Sequence, residues 1–314
     1  MISKKPNNVF LTSYMRPEMT ESSIKTVLNW NSLDNLVVVI DGLRKDAADS
    51  EKEWRKETIR ITEKYASSNA KLDLWVYDSN IGITEHTMRI QGRALESGSS
   101  GIWLEEDIGL ELGKYSKIVE NLAVEKSSDP ILLSAYSHFN HNYSGETTTK
   151  GNLFLPVWGM VFNENFYNLI SQVWYDKKFD EQIVIDAIDR VFPDSSLGER
   201  LYKSKVIRFW TEYSRWGFVN SNRWDALANY ALWTKSKYSS ATFERLAHDL
   251  SFQDSRGMNQ RIEPEPVQTH EFYETQIGDQ IFCVRCENLG SRIDGSLSKR
   301  MAAGIRYRLA SKFN

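Results

Sequence analysis

The chain has 314 residues, of which 41% are apolar and 26% are charged, and its formal net charge is −3. These values predict a soluble protein with one large domain or two small ones. The near-neutral net charge does not indicate nucleic-acid binding. The longest aliphatic run, residues 36–40, is too short to cross a bilayer, and the first ten residues lack the apolar core of a secretory signal.

Strands and helices alternate three times between residues 8 and 107. A buried strand followed by a loop is predicted at 8–14. Further strands are predicted at 35–42, 72–79 and 101–107, and helices at 16–30, 51–67 and 82–97. Pro17 suits a first helical turn, and the continuous β-branched run of the second strand is typical of a strand that is covered on both faces. This order predicts an α/β fold: a Rossmann-like, mostly parallel sheet with helices on both faces.

Polar side chains stand where these strands end. Asp41 closes the second strand, Asn80 follows the third, and the fourth ends on three consecutive carboxylates, Glu105, Glu106 and Asp107. Ligands of open parallel sheets bind beyond the carboxyl ends of the strands. Because adjacent carboxylates repel each other, they either face water or are compensated by a cation. An anionic nucleotide diphosphate could bind here through a divalent metal that bridges carboxylate and phosphate oxygens. The alternative is a solvated acidic turn.

Four segments of this region resemble, in order, the GT-A class of nucleotide-sugar glycosyltransferases. They are LTSYMRP (11–17), VVVIDG (37–42), SNIGITEHTMR (79–89) and the acidic triplet, which the N-acetylglucosaminyltransferase I branch writes as Glu-Asp-Asp. Three later segments resemble the acceptor-side Trp-Gly segment of the class, and the Trp-Asp segment and closing loop of its bacterial polysaccharide members. These are LPVWGMVFNENFY (155–167), RWDALANYALW (223–233) and LAHDLSFQDSRGMN (246–259).

The resemblance implies a metal-dependent enzyme that moves a sugar from a nucleotide sugar of the UDP type to a saccharide or lipid-linked saccharide, in bacterial surface polysaccharide synthesis. It implies Asp107 as the direct ligand of Mn2+ or Mg2+. His248 is a candidate further ligand, because neutral imidazole suits such a site; the alternative is a structural histidine. The candidate donor-binding residues are Thr12, Tyr14, Arg16, Asp41, Asn80, Gly82, Arg89, Glu105 and Glu106. For Asp41 the alternative is a turn aspartate, and for Arg89 a solvated helix face.

An inverting transfer needs a base beside the acceptor hydroxyl. Asp225, which follows Trp224, is the first candidate and Asp180 the second; each also stands where a helix N-cap is expected. The candidate acceptor-binding residues are Trp158, Gly159 and Trp224, since aromatic faces stack against sugars. For the tryptophans, ordinary core packing is the alternative.

We expect the chain to divide into a donor-binding half (1–112), an acceptor-binding and catalytic half of the same domain (113–262) and a C-terminal extension (263–314). The last twenty residues contain five Lys or Arg and no acid, with apolar residues at every fourth position. This pattern predicts a basic amphipathic helix that either lies on an anionic membrane surface or docks on the domain. Cys283 and Cys286 are expected to be structural thiols, and the protein to be cytoplasmic, either free or peripheral on the inner face of the membrane.

Two other functions occur on similar sheets. A sugar-nucleotide nucleotidyltransferase carries a glycine-rich phosphate loop after its first strand, whereas no glycine precedes Gly42 in this chain. A non-catalytic carbohydrate-binding protein could keep the fold and show no turnover. The glycosyltransferase is the preferred interpretation.

Overall fold

A computed structural model of the chain describes residues 7–96, 101–122, 127–136, 151–152, 158–191, 197–219, 224–242, 246–250, 271–277 and 280–286. The first seven elements are β1 (Asn8–Ser13), α1 (Pro17–Leu28), β2 (Asn35–Ile40), α2 (Asp49–Ser68), β3 (Leu72–Val76), α3 (Ile83–Glu96) and β4 (Gly101–Glu105). All seven were predicted, and each boundary lies within three residues of the predicted one.

The elements that follow are shorter strands and a group of helices. They are β5 (Ile108–Leu110), α4 (Leu112–Leu122), β6 (Leu132–Ser134), β7 (Gly151–Asn152), β8 (Met160–Phe162), α5 (Glu164–Asp176), α6 (Glu181–Asp189), α7 (Leu197–Val219), α8 (Trp224–Trp233), β9 (Ser240–Ala241), β10 (Ala247–Asp249), β11 (Glu271–Ile277) and β12 (Gln280–Cys286).

The main sheet has seven strands in the order β3-β2-β1-β4-β8-β6-β9. Strands β1 to β4 are parallel, with β1 between β2 and β4, so the carboxyl ends of all four lie along one edge. Strand β8 runs antiparallel to both β4 and β6, while β9 is parallel to β6. The predicted fold class, an α/β protein with a mostly parallel Rossmann-like sheet, is confirmed.

Helices cover both faces of this sheet. Alternate side chains of a strand point to opposite faces. Val9 and Leu11 pack with Ile24 of α1 on one face, and Phe10 and Trp103 pack with α3, α5 and α8 on the other. Residues 36–40 of β2 are therefore buried throughout, which explains the uninterrupted apolar run.

The described part of the C-terminal extension consists of strands. β11 and β12 form an antiparallel hairpin, and β12 also pairs in parallel with β7. Cys283 and Cys286 both lie in β12. The predicted basic helix at 295–314 falls outside the described residues. Among the residues that are described, no helix is long and apolar enough to span a membrane.

Arg55 of α2 ties two strand ends together. Its Nε donates to the carbonyl of Asp41 at 2.8 Å and its Nη2 donates to the carbonyl of Tyr77 at 2.7 Å. These carbonyls belong to the residues that directly follow β2 and β3, beyond the last pair of the ladder between the two strands, Ile40 and Val76. The half-buried guanidinium thus satisfies backbone acceptors at the edge of the sheet where a ligand is expected.

We expect Arg55→Met to lower the free energy of unfolding by about 1–3 kcal/mol, because two part-buried carbonyls lose a charged donor. Urea denaturation followed by circular dichroism measures this change. Arg60→Met, on the exposed side of the same helix, is the matched control and should change stability by less than about 0.5 kcal/mol. Equal effects of the two substitutions would contradict the assigned role of Arg55.

Candidate active site

A cation is already bound to the acidic triplet at the carboxyl edge of the sheet. Arg16, which directly precedes α1, donates from Nε to Glu106 Oε1 at 2.9 Å and from Nη1 to Asp107 Oδ2 at 2.7 Å. All three side chains are largely buried, and the most exposed, Arg16, retains 16% of its accessible surface. The sequence led us to seek the compensating cation in a metal, whereas Arg16 supplies one positive charge itself.

Backbone hydrogen bonds fix the position of the two buried carboxylates. Glu106 donates its N–H to the carbonyl of Thr12 at 3.0 Å, and Ser23 Oγ donates to the carbonyl of Glu106 at 2.8 Å. Leu250, directly after β10, donates its N–H to the carbonyl of Asp107 at 2.7 Å. Thr12 is itself buried, and its hydroxyl donates to a carbonyl of β4. Thr12 therefore stabilises the backbone of the triplet through hydrogen bonds between β1 and the end of β4.

The electrostatics of the triplet follow from burial and from an imbalance of charge. Burial raises the pKa of Glu106 to about 7; Arg16 opposes this shift and Asp107 reinforces it. Burial alone would lower the pKa of Arg16, but the two carboxylates outweigh that effect and hold it above its ordinary value. Two buried carboxylates thus share one guanidinium, so with both ionised the group has a net charge of −1.

The oxygen atoms of the triplet would fit a metal ion that one protein carboxylate, Asp107, holds. Asp107 Oδ1 is buried and has no hydrogen-bond partner among the described residues, although Oδ2 is bonded to Arg16. Carboxylate oxygens are ligands that Mn2+ and Mg2+ prefer, and this one is not used by a hydrogen bond from the described residues. The described residues contain no group of three His, Cys, Asp or Glu side chains placed to hold a metal.

The structure brings the strand of His248 beside the triplet. Strand β10 pairs antiparallel with β5, and His248 lies opposite Gly109, two residues after Asp107. The imidazole is exposed. Backbone pairing therefore accounts for the position of this segment, and the metal-ligand role of His248 remains a prediction.

Asp41 organises the turn beyond β2. Its Oδ1 accepts from the N–H groups of Gly42 at 2.7 Å and Ile81 at 3.3 Å, and its Oδ2 accepts from Asn80 Nδ2 at 2.9 Å. His86 of α3 is fully buried with Nδ1 3.7 Å from Asp41 Oδ1. Predicted donor-binding residues Asp41 and Asn80 are thus brought together, and they hold each other in place.

Glycine is required in this turn by a close backbone approach. A Cβ on Gly42 would lie 2.0 Å from the backbone carbonyl carbon of Ser79, so no larger residue fits without moving the turn. Gly82, at the entry to α3, has a φ of 77°. Tyr14 lies beside the same edge, where its hydroxyl accepts from the N–H of Arg44 at 3.4 Å.

Arg89 and Glu105 occupy different surroundings. Arg89 Nε donates to Glu85 of its own helix at 2.9 Å, and half of its side chain is exposed. The solvated-face alternative describes these contacts. Glu105 is the half-buried last residue of β4 and, two residues after Trp103, it points to the same face of the sheet as that ring.

Trp224 and Asp225 are placed against that same face. The Trp224 ring stacks on Trp103 with centroids 6.2 Å apart, so α8 begins directly over β4. Every residue of α8 except Asp225 is buried. Asp225 Oδ2 accepts from the hydroxyl of Tyr213 at 2.6 Å, which orients the carboxylate. Trp224 itself is buried in the core, so the core-packing alternative describes its contacts.

Asp180 lies farther from β4 and acts as a helix cap. Its Oδ1 accepts from the N–H of Gln182 at 2.9 Å at the start of α6, as the N-cap alternative predicts. Its own N–H donates to Tyr230 Oη at 2.9 Å. Tyr230 is six residues after Trp224, about 9 Å farther along α8.

Trp158 and Gly159 lead into β8. Trp158 is half-buried and meets Tyr136 edge to face with centroids 4.4 Å apart. Gly159 has a φ of 63°, and a Cβ there would lie 3.0 Å from the Cβ of Ala135. The left-handed backbone and the tight contact both favour glycine at this position.

A cavity of about 830 Å³ opens at the opposite, amino edge of the sheet. Its charged lining balances three lysines against three acids: Lys71, Lys114, Lys117, Asp34, Glu111 and Glu120. It contains none of the residues singled out by the sequence. Because parallel sheets bind ligands at their carboxyl edge, we place the site at the triplet.

The sequence analysis missed several residues that build the site. Ser23 positions the triplet, and Arg55 positions the ends of β2 and β3. Trp103 positions α8, and Tyr213 positions Asp225. Each acts through a contact with a different element or turn of the fold, which local sequence patterns do not show. One signal was available: β1 and β4 were both predicted to end at the same edge, which places the basic residue after β1 near the acids after β4.

No protein-family model matches the chain, and no curated protein sequence matches it. Among solved structures, the chain is similar to a mannosyltransferase from Pyrobaculum calidifontis in complex with GDP-Man and Mn2+, at 11% identity and a TM-score of 0.40, over 74% of this chain and 70% of that one. It is also similar to a mannose-1-phosphate geranyltransferase from Thermus thermophilus, at 8% identity and a TM-score of 0.39, over 96% and 98% of the two chains. Neither TM-score reaches 0.5, and the function proposed below takes no support from these two structures.

The raised pKa of Glu106 predicts how stability changes with pH. Because the folded-state pKa of about 7 exceeds the ordinary value of 4.5, the folded protein holds this proton more tightly than the unfolded chain. The resulting stabilisation is complete below about pH 4.5 and is lost as the pH rises through about 7. In a chelating buffer, the unfolding free energy of wild type minus that of Glu106→Gln should fall by about 1–3 kcal/mol between about pH 5 and about pH 8.

Urea denaturation across this pH range makes the measurement. Glu53→Gln, on the exposed face of α2, is the control and should show no pH-dependent difference from wild type. A difference for Glu106→Gln that grows with pH would mean that Arg16, and not burial, dominates the titration of Glu106.

Proposed function

We propose that the protein is a metal-dependent glycosyltransferase that uses a nucleotide sugar of the UDP type and a saccharide acceptor. The observation that carries the proposal is the set of Arg16, Glu106 and Asp107 at the carboxyl edge of the parallel sheet, with Asp107 Oδ1 buried and without a hydrogen-bond partner among the described residues. This edge is where such sheets bind nucleotides. The motifs that resemble the GT-A class supply the donor type.

Residues of this edge would bind and orient the donor. Asp107 would hold the metal through Oδ1, and a divalent metal there stabilises the charge that develops on the leaving diphosphate. Arg16 has five N–H donors, of which two bond the carboxylates, so donors remain for a phosphate oxygen. The turn held by Asp41 and Asn80 would form the wall beside the nucleoside.

Asp225 is our choice for the base that takes the proton of the acceptor hydroxyl. It alone among the residues of α8 is not buried, it follows the ring that stacks on β4, and Tyr213 orients it. A positioned carboxylate contributes typically 10²–10⁴-fold to such a transfer. Asp180 is the runner-up, since its carboxylate caps α6 and lies farther along α8.

We expect Asp107→Ala to abolish the Mn2+-dependent part of UDP binding and to leave the fold intact. Without a divalent ion, the remaining carboxylates repel the diphosphate, so UDP should bind only weakly to wild type as well. Isothermal titration calorimetry with Mn2+ and with chelator measures both affinities. Asp34→Ala, which removes an exposed carboxylate at the opposite edge, is the control. Equal UDP affinity of wild type in chelator and in Mn2+ would exclude the metal role.

We expect Asp225→Asn to keep UDP binding near that of wild type and to lower sugar transfer by about 10²–10⁴-fold. Asp180→Asn should remain active, because asparagine caps a helix about as well as aspartate. Transfer to saccharide acceptors is measured as released UDP.

The two variants discriminate between mechanisms. An inactive Asp180→Asn with an active Asp225→Asn would reverse the assignment of the base. Full activity of both variants would favour a retaining reaction. Release of pyrophosphate from a nucleoside triphosphate and a sugar phosphate would instead identify a nucleotidyltransferase, and binding of saccharide with no turnover a carbohydrate-binding protein.

A further inference from the structure

Arg16 occupies the carboxylate that the proposed metal requires. The guanidinium spans both buried acids, with Nη1 2.7 Å from Asp107 Oδ2 and Nε 2.9 Å from Glu106 Oε1. Asp107 Oδ1, the orphaned oxygen, belongs to the same carboxylate as the oxygen that Arg16 holds. A divalent cation on Oδ1 would therefore lie within a few ångströms of a fixed positive charge in a largely dry environment.

We propose that Arg16 is an internal competitor of the divalent cation for Asp107. The guanidinium compensates one of the two buried negative charges in the free protein, and its own positive charge repels a second cation from Oδ1. The free protein therefore binds Mn2+ weakly.

Diphosphate relieves this competition, and in this step the inference rests on the proposed function. A phosphate oxygen accepts the same forked N–H donors that a carboxylate does, so the guanidinium can turn to the diphosphate and expose Asp107 to the metal. Metal and diphosphate then bind cooperatively, and each raises the affinity of the other by the same factor. Arg16 is thus a positioning residue that couples the two ligands.

The test measures Mn2+ affinity in the absence of any nucleotide, from the electron paramagnetic resonance signal of free aqueous Mn2+. We expect Arg16→Met to bind Mn2+ more tightly than wild type, by on the order of tenfold or more, because the competing charge is gone. Arg60→Met, which removes one positive charge from the exposed side of α2, is the matched control and should bind as wild type does. A purely structural role for Arg16 predicts the opposite result, a looser site.

Three further variants complete the test, and the first two keep it decisive if Arg16→Met folds poorly. Arg16→Met combined with Glu106→Gln removes one buried cation and one buried anion together, and should still bind Mn2+ more tightly than wild type. Arg16→Lys keeps the charge on a single point donor and should restore weak binding. Adding Asp107→Asn to Arg16→Met should remove the gain, because Oδ1 is lost as an anionic ligand.

The same titration with inorganic pyrophosphate or UDP separates the two proposals. Wild type should gain Mn2+ affinity with either anion, and Arg16→Met should gain much less. The competition is overturned if neither Arg16→Met nor its combination with Glu106→Gln binds Mn2+ more tightly than wild type does. Tighter binding by these variants, with no effect of pyrophosphate or UDP on wild type, would support the competition and overturn the proposed donor function.

Discussion

The ion pairs between Arg16 and the buried acids Glu106 and Asp107 are the interaction on which the site depends. Removing a charge from water is costly unless it is paired, and here two anions share a single cation. While both acids are ionised, the group is left with an excess of one negative charge. That excess of negative charge would attract a further cation, such as the divalent metal proposed above, although Arg16 lies beside it.

The parallel sheet makes this arrangement possible. Strands β1 and β4 are neighbours and run in the same direction, so the residue that precedes α1 and the residues that follow β4 meet at one edge. The helices on both faces keep the strands dry, which is why the charged groups collect where the strands stop. On the face that carries Trp103, the stack with Trp224 brings the start of α8 to the same edge. Strand β4 and the start of α8 are therefore neighbours in the fold, although about 120 residues separate them in the sequence.

Much of the first half could be predicted from the sequence, because its signals are local. Apolar runs marked the strands, Pro17 marked the start of α1, and the acidic triplet marked the end of β4. The partner of the triplet could not be read in the same way, since the pairing of Arg16 with Asp107 depends on which strands are neighbours. For Asp180, two local interpretations were open, and the structure shows its carboxylate bonded as an N-cap. The hairpin of β11 and β12 was not predicted, because its alternation is obscured by polar residues on both faces of each strand.

The contact between Leu250 and Asp107 has a consequence for the order of folding. The ladder between β5 and β10 spans three residues on each strand, and it joins segments that lie at positions 108 and 249 of the chain. The six-residue ladder of β1 and β2 and the pair of Arg16 with the triplet need nothing beyond residue 107. Because synthesis proceeds from the amino end, these earlier elements can assemble before residue 246 has been synthesised. Until β10 is present, water must solvate the carbonyl of Asp107 and the outer edge of β5, so the backbone around the triplet is completed only after strands β1 to β4 can pair.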